Sequence, residues 1–328
     1  MLSLQHFWAR TSVLTVLLLP LAWLFSVVSG LRRQAYRRGW LKSISVGVPV
    51  IIVGNITAGG SGKTPLVIWL VNWLRSLGYR PGVVSRGYGG SARGCTEVNL
   101  DSLAEEVGDE PLLIRAKTNA PVVVGRDRVA ASRILMAHHQ VDLIVADDGL
   151  QHYRLHRDLE LAVVNAATGL GNGWPLPAGP LREPKARLQN VDAVIQVVRG
   201  EIPLAKTIAV PTWRADYTAG QAYRLCAPQE KVALRDLPSR DWLAITGIGH
   251  PQGFFDMLEA QEIRFTPQIF ADHYAFKADD LPVDGAVLMT EKDAVKCKGF
   301  AGTDWWAIAL EVSPESGFID WLGTRFKQ

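Results

Sequence analysis

The sequence has little cysteine and no strong excess of charge. Its three cysteines, Cys95, Cys226 and Cys297, are an odd number with no CxxC pair, which argues against a disulfide framework and a structural zinc site. Lys and Arg number 35 against 32 Asp and Glu, a net charge of +3, which is too mild to indicate a nucleic-acid partner. Internal repeats and low-complexity runs are also missing. These absences favour an ordinary globular protein of a reducing compartment.

Charged side chains are absent from residues 11–31, which are mostly leucine and valine. As a helix this segment would be about 30 Å long, nominally enough to cross a bilayer. Five basic residues and no acid follow it: Arg32, Arg33, Arg37, Arg38 and Lys42. A basic flank favours the cytoplasmic side and anionic headgroups. The pattern predicts a membrane-associated helix with its basic flank over residues 1–42.

Two other interpretations of this segment stay open. A cleaved signal peptide would not have its basic cluster downstream of the apolar run, and a core helix of a soluble domain would also be apolar. Pro20 breaks the middle of the run and three serines reduce its apolarity, which leaves both a spanning helix and a kinked helix lying in one leaflet open. Trp8, Trp23 and Trp40 add aromatic rings of the kind that settle at membrane interfaces.

A phosphate-binding loop is predicted between an apolar strand at residues 50–53 and an amphipathic helix from residue 65. The loop contains Thr57, Ala58, Gly59, Gly60, Ser61, Gly62, Lys63 and Thr64. Glycines let backbone N–H groups point at phosphates, and the helix N-terminus adds positive charge. Lys63 would reach the β- and γ-phosphates and Thr64 would bind Mg²⁺. The usual first glycine of this motif is replaced by Thr57, so a plain glycine-rich turn is the alternative.

A second strand end carries acids. The apolar residues 141–146 are followed by Asp147 and Asp148, and carboxylates at such a position beside a phosphate loop can hold Mg²⁺. The alternative is a solvated turn. A GTPase would need aspartate at Ala146 and an NKxD motif, which Thr290-Glu291-Lys292-Asp293 approaches only superficially. The pattern therefore favours ATP.

Polar clusters between the other strands offer an acceptor site, since α/β enzymes build their sites there. They are SRGYGG at 85–90, GDEP at 108–111, QHYR at 151–154 and a proline-rich loop at 177–184. In GDEP, the spacing alone favours capping of the following helix by Asp109 over a catalytic role.

The ordered set of motifs closely resembles the tetraacyldisaccharide 4′-kinase family of Gram-negative bacteria. These motifs are GGSGKTP, SRGYGG, GDEP, DDGLQHYRLHRD, GNGWPLPAGPLRE, GIGHPQGFF, DHY and MTEKDAVK. The resemblance implies ATP-dependent phosphorylation of the 4′-hydroxyl of a tetraacylated glucosamine disaccharide 1-phosphate, giving lipid IVA, at the cytoplasmic face of the inner membrane. The family's phosphate loop also lacks the first glycine, so Thr57 does not weaken the assignment.

The resemblance also implies roles for individual residues. Asp109 is similar to the catalytic base, paired with His273 of DHY, and Lys63 acts on the phosphates. Mg²⁺ and ATP roles are implied for Thr64, Asp147, Asp148 and Glu183. Disaccharide and phosphate contacts are implied for Arg86, Tyr88, Arg128, His152 and Arg182, with Arg126 as an alternative to Arg128.

Alternating strands and helices from residue 48 to about 198 predict a doubly wound, mainly parallel α/β sheet. We expect a phosphate-loop core at 43–199, a linker or β-ribbon at 200–237 and a smaller α/β domain at 238–328, with the site in the cleft between the two. Other functions that share the loop are a membrane-associated switch or targeting ATPase and a soluble ATP-dependent ligase. A switch ATPase has no need for a base that acts on an acceptor hydroxyl, whereas a kinase does.

Overall fold

The computed structural model describes residues 4–199 and 210–326. Two N-terminal helices come first, α1 (Leu4–Ala9) and α2 (Val13–Arg37). The core elements follow in chain order: β1 (Val50–Gly54), α3 (Lys63–Ser76), β2 (Pro81–Ser85), β3 (Cys95–Val98), α4 (Ala104–Val107), α5 (Asp109–Thr118), β4 (Val122–Gly125), α6 (Arg128–His138), β5 (Leu143–Asp147), β6 (Leu159–Asn165) and β7 (Ala193–Val198).

The C-terminal elements continue the same sheet. They are β8 (Thr212–Arg224), β9 (Ala227–Val232), β10 (Trp242–Thr246), α7 (Gln252–Glu259), β11 (Phe265–Ile269), β12 (Val287–Thr290), α8 (Glu291–Cys297), β13 (Trp305–Pro314) and α9 (Ser316–Phe326). Short 3₁₀ helices cover Lys185–Asn190, Leu234–Asp236, Ala278–Asp280 and Lys298–Phe300.

The thirteen strands in the described residues form one sheet, in the order β11-β10-β12-β13-β8-β7-β6-β1-β5-β2-β4-β3, with β9 paired to β8. Neighbouring strands are parallel throughout the block β8-β7-β6-β1-β5-β2-β4. They are also parallel throughout the block β11-β10-β12-β13. The long antiparallel pair β8–β13 joins the two parallel blocks, and its register shifts between Ile308 and Leu310. The predicted mainly parallel α/β fold is confirmed.

Alternating side chains of β1 enter two separate cores. Ile51 and Val53 join a cluster with α3, whereas Val50 and Ile52 join a cluster with α6. Helices on both faces bury β1, β2, β4 and β5 along their whole length, which explains why these strands read as continuous apolar runs. This double cover holds the carboxyl ends of β1, β2 and β5 rigidly at one edge of the sheet.

The second parallel block has its own cores, built around large aromatic side chains. Trp242 and Phe254 belong to one of them, and Trp305 and Phe276 to the other. Strands β8 and β9 lie inside the predicted linker, paired antiparallel, and residues 200–209 are outside the described residues. The boundaries at 42, 199 and 237 stay predictions.

Helix α2 runs through Pro20 without a break, so the expectation that this proline interrupts the segment is wrong. A proline removes one helical N–H, but the neighbouring hydrogen bonds can carry the helix past it. The hydroxyls of Ser26 and Ser29 donate to backbone carbonyls of the same helix at 2.9 and 3.2 Å.

The apolar side chains of α2 are largely exposed. Leu17 is 69% exposed and Trp23 71%, and only 11% of the helix's most apolar window is buried. This exposure argues against a helix packed in a soluble core. By length and composition α2 could cross a membrane.

Candidate active site

The predicted phosphate loop connects β1 to α3. Gly62 precedes α3 with φ = 80°, a left-handed conformation that favours glycine. A Cβ at this position would lie 3.2 Å from the Tyr217 ring, and the Tyr217 hydroxyl donates to the Gly62 carbonyl oxygen at 2.5 Å. Because β8 supplies this tyrosine, the sheet itself fixes the loop at the point where α3 begins. A helix N-terminus held in this way is a binding site for phosphate.

Lys63 and Arg182 converge on Asp148. Lys63 Nζ lies 3.3 Å from Asp148 Oδ1, and Arg182 Nη1 lies 2.9 Å from Oδ2. Burial would raise the pKa of Asp148, but the charges of these two cations hold it well below its usual range. Lys63 also donates to Asn55 Oδ1 at 3.1 Å. The loop lysine is therefore held in place by residues that directly follow β1 and β5.

Asp147, at the end of β5, is only 1% exposed. Its Oδ2 accepts a hydrogen bond from Ser85 at 3.0 Å, whereas Oδ1 is buried with no hydrogen-bond partner in the described residues. Burial raises the pKa of Asp147 to about 7, and the charges of Glu110 and Asp148 add to the effect. A carboxylate oxygen without a partner would be satisfied by a cation.

Thr64 is the second side chain that fits Mg²⁺, because it lies buried in the first turn of α3. Within residues 4–199 and 210–326, no group of three or more His, Cys, Asp or Glu could hold a metal. Phosphate-loop enzymes need no such group, since nucleotide phosphates and water supply most ligands of Mg²⁺.

We expect Asp147→Asn to stabilise the nucleotide-free protein at pH 8. A carboxyl whose pKa is raised to about 7 on folding holds its proton more tightly when folded, so stability falls as the pH rises from about 4 to about 7. The amide escapes this loss, and Tm should rise by about 2–4 °C at pH 8. At pH 4 the gain should vanish. Scanning calorimetry at both pH values measures this, with the exposed Asp284→Asn as control; an equal gain at both would contradict the prediction.

Asp109 contacts His273 across 164 positions of the chain, with His273 Nδ1 lying 3.0 Å from both carboxylate oxygens. The capping alternative is wrong, since Gly108 occupies the N-cap of α5 and makes no side-chain cap. Burial would raise the pKa of Asp109, but the His273 hydrogen bond and the charge of Lys292 lower it below its usual value. The same hydrogen bond raises the pKa of His273. The hydrogen bond thus joins a buried carboxylate to a partly buried imidazole ring.

Glu183 is fully engaged by protein groups. Its carboxylate accepts from Gln151 Nε2 at 3.0 Å and from the Tyr153 hydroxyl, and lies 3.5 Å from Arg187 Nε. Gln151 Nε2 also donates to the Asn55 carbonyl oxygen at 3.0 Å. Glu183 therefore connects the QHYR turn to the phosphate loop, and its predicted contact with Mg²⁺ stays a prediction.

The predicted disaccharide-contacting residues divide into exposed and buried groups. Arg86 and Tyr88 are exposed, and the Tyr88 ring lies 5.1 Å from that of His273. Arg128 is 3% exposed, donates to the Gly125 carbonyl at 2.8 Å and points toward the Asp147 backbone. Burial and the Arg128 charge lower the pKa of His152 to about 4, so this ring is neutral at pH 7.

Two residues near the site received no role from the sequence. His250 lies against the phosphate loop, where a Cβ added to Gly60 would be 3.4 Å from its ring. Lys292 lies beside Asp109. They belong to the motifs GIGHPQGFF and MTEKDAVK. His250 follows β10 and Lys292 follows β12, so both side chains come from the second parallel block.

The N-terminal helices touch the same loops. Trp8 of α1 donates from Nε1 to the Pro177 carbonyl at 3.1 Å, and its own carbonyl accepts from the Asn172 N–H at 2.8 Å. Tyr36 near the end of α2 packs against Tyr153, with ring centroids 5.8 Å apart. The exposed apolar helix is thereby attached next to the site.

Comparisons with known proteins agree on one family. A relative from Thiobacillus denitrificans, named tetraacyldisaccharide 4′-kinase, is 66% identical over 99% of both chains. One of the same name from Azoarcus sp. is 48% identical over 98% of this chain and 94% of its own. The crystal structure of LpxK from Aquifex aeolicus, in complex with ATP, matches with a TM-score of 0.85 and 29% identity over 95% of this chain and 99% of that one. The sequence model of the tetraacyldisaccharide-1-P 4′-kinase family matches residues 14–327, and the chain therefore belongs to that family of phosphotransferases.

Proposed function

We propose that the cleft between the phosphate loop and the Asp109–His273 pair transfers the γ-phosphoryl group of ATP to the 4′-hydroxyl of a tetraacylated glucosamine disaccharide 1-phosphate, giving lipid IVA. The contact between Asp109 and His273 carries this assignment. A switch ATPase activates water and needs no such pair, whereas a kinase must take a proton from its acceptor hydroxyl. The ATP complex of the similar Aquifex structure supports the choice of nucleotide.

The phosphate loop and the strand ends hold the donor in this proposal. Residues 57–64 supply backbone N–H groups for the phosphates, and Lys63 leaves Asp148 to contact the β- and γ-phosphates. Thr64 and Asp147 would hold Mg²⁺, with Asp148 and Glu183 close by. The metal would neutralise charge that develops on the transferring group. Arg182 then faces the transferred phosphate.

The acceptor is activated from the opposite side. The Asp109 carboxylate accepts the proton of the 4′-hydroxyl, and the His273 ring, held at 3.0 Å, orients that carboxylate and takes up part of the charge change. Arg86, Tyr88, Arg128, His152 and Arg182 are the proposed disaccharide and phosphate contacts. Tyr88 is best placed among them, because its exposed ring adjoins His273.

Helix α2 places the enzyme at the membrane that contains its substrate. Its apolar side chains are exposed, and the cluster Arg32, Arg33, Arg37 and Arg38 begins just after them. A basic flank favours the cytoplasmic leaflet and its anionic lipids. We therefore place the protein at the cytoplasmic face of the bacterial inner membrane.

Charges introduced on the exposed face of α2 should release the protein from membranes. Leu17→Asp with Leu24→Asp puts two carboxylates where leucines are 69% and 56% exposed, at a cost of about 2.5–3.5 kcal/mol each near a bilayer centre. Flotation with phosphatidylethanolamine–phosphatidylglycerol vesicles should show at least about a tenfold loss of bound protein. Leu77→Asp, exposed on the soluble part, is the control. Unchanged flotation of the double variant would contradict membrane binding by α2.

Product analysis tests the function directly. The full chain is incubated in detergent micelles with ATP, Mg²⁺ and disaccharide 1-phosphate, and the lipid is analysed by mass spectrometry. We expect one added phosphate, located on the 4′ position by fragmentation. ATP turnover that is independent of the lipid, with no phosphorylated product, would support the switch ATPase instead.

A further inference from the structure

Lys292 lies among three carboxylates that come from two parts of the chain. Its Nζ is 3.0 Å from Glu110 Oε1, 3.8 Å from Asp109 Oδ2 and 3.8 Å from Asp272 Oδ1. Asp109 and Glu110 begin α5, and Asp272 directly precedes His273. One ammonium group therefore connects the two segments that supply the catalytic pair.

The start of α8 holds Lys292 at this point. Thr290 Oγ1 accepts from the Asp293 N–H at 3.2 Å and donates to Asp293 Oδ2 at 2.7 Å, so the first turn is capped. Asp293 Oδ1 accepts from the Gly247 N–H at 3.2 Å, and the Gly247 carbonyl accepts from the His273 N–H at 3.1 Å. The helix that carries Lys292 is thereby fixed to the backbone of His273.

A second contact fixes α8 to α5. Lys117 of α5 forms a close ion pair with Glu291, whose other oxygen accepts from the Leu310 N–H at 3.2 Å. The side chain of Lys292 is 19% exposed, so its ion pairs are screened less than surface pairs. Without its charge, the Asp109, Glu110 and Asp272 carboxylates would repel one another, and only His273 and Lys296 would be left to offset the charge on Asp109.

We propose that Lys292 is a positioning residue of the phosphotransfer site, which holds the start of α5 against the Asp272–His273 turn so that Asp109 faces His273. The proposal rests on the proposed roles of Asp109 and His273. The charged groups around the pair are Glu110, Asp272, Lys292 and Lys296, and the Tyr88 ring covers the outer side. The charge of Lys292 lowers the pKa of Asp109, and it also opposes the hydrogen bond that raises the pKa of His273.

The test compares Lys292→Met with Lys292→Arg. We expect the methionine variant to lose about 10²-fold in kcat, the cost of a displacement of about 1 Å at a reacting group, with little change in the KM for ATP. The loss of the Lys292 charge should raise the pKa values of both Asp109 and His273, since that charge lowers them in the wild type. The acid limb of the kcat–pH profile should therefore move to higher pH. The arginine variant keeps the charge and should restore most of kcat and the position of the limb.

Matched variants make each outcome decisive. Lys298→Met, exposed beyond the end of α8, should behave as wild type. Wild-type kcat with an unshifted acid limb in Lys292→Met would overturn the proposal. It would also be overturned if Lys292→Met and Lys292→Arg lost kcat equally and neither shifted the acid limb. If Lys292→Met does not fold, the double variant Glu110→Gln/Lys292→Met is used, because it also removes the Glu110 charge that Lys292→Met leaves unpaired. Wild-type kcat in the double variant would also overturn the proposal. Asp109→Asn, measured in parallel, separates this from the proposed function, which fails if that variant keeps full activity.

Discussion

Lys63→Ala is expected to abolish phosphotransfer almost completely, with a loss of about 10³-fold or more in kcat. Lys63 lies 10% exposed at the start of α3 and faces Asp148 at 3.3 Å. In the proposed mechanism, the same ammonium group would stabilise the charge that develops on the β–γ bridging and γ oxygens of ATP. No other lysine of the described residues makes a salt bridge with Asp147 or Asp148.

Steady-state turnover with the lipid acceptor measures this effect. Lys231→Ala, on the exposed strand β9, is a matched control that should keep full activity. The loss of Lys63 leaves Asp148 paired with Arg182 alone, so thermal unfolding must first show that the variant is folded. A folded Lys63→Ala variant with wild-type turnover would show that the loop between β1 and α3 does not hold the donor phosphates.

Asp109→Ala should lower kcat by about 10²–10⁴-fold, the usual contribution of a general base. The affinity for ATP should stay within a small factor. Within the described residues this carboxylate contacts His273, Lys292 and the Glu110 N–H, none of which belongs to the phosphate loop. A fall in kcat without a fall in ATP affinity would show that Asp109 acts on the acceptor and not on the donor nucleotide.

Nucleotide affinity is measured by calorimetric titration, and kcat with saturating lipid. Asp101→Ala, an exposed acid on the loop before α4, is the control. The removal of a buried carboxylate leaves His273 and Lys292 without their partner, so Asp109→Asn is measured alongside because it keeps the shape of the side chain. If ATP binding is lost together with turnover in a folded variant, Asp109 acts on the metal or the nucleotide and is not the base.

The donor side of the site could be predicted from the sequence because its parts are local. The strand, the glycine-rich turn and the first turn of α3 lie within residues 50–66, and each has its own pattern of residues. The same holds for Asp147 and Asp148 at the end of β5. A parallel sheet brings such strand ends to one edge, so the pattern alone places them together.

The acceptor side could not be predicted in this way. Asp109 and His273 are 164 positions apart, and only the resemblance to a known family paired them. Their contact depends on the long antiparallel pair β8–β13, which joins the two parallel blocks in one sheet. Sequence periodicity predicts single strands but not which strands pair.

The sequence by itself determined the α/β class, the phosphate loop, the apolar N-terminal segment and, through its ordered motifs, the kinase family. Only the tertiary structure decided how neighbouring acids differ. Asp148 has a left-handed φ of 49° and meets two cations, whereas Asp147 remains in the strand with a buried oxygen that has no partner in the described residues. Adjacent residues of one type acquire different charge states because burial and nearby charges, which come from distant segments, set their pKa values.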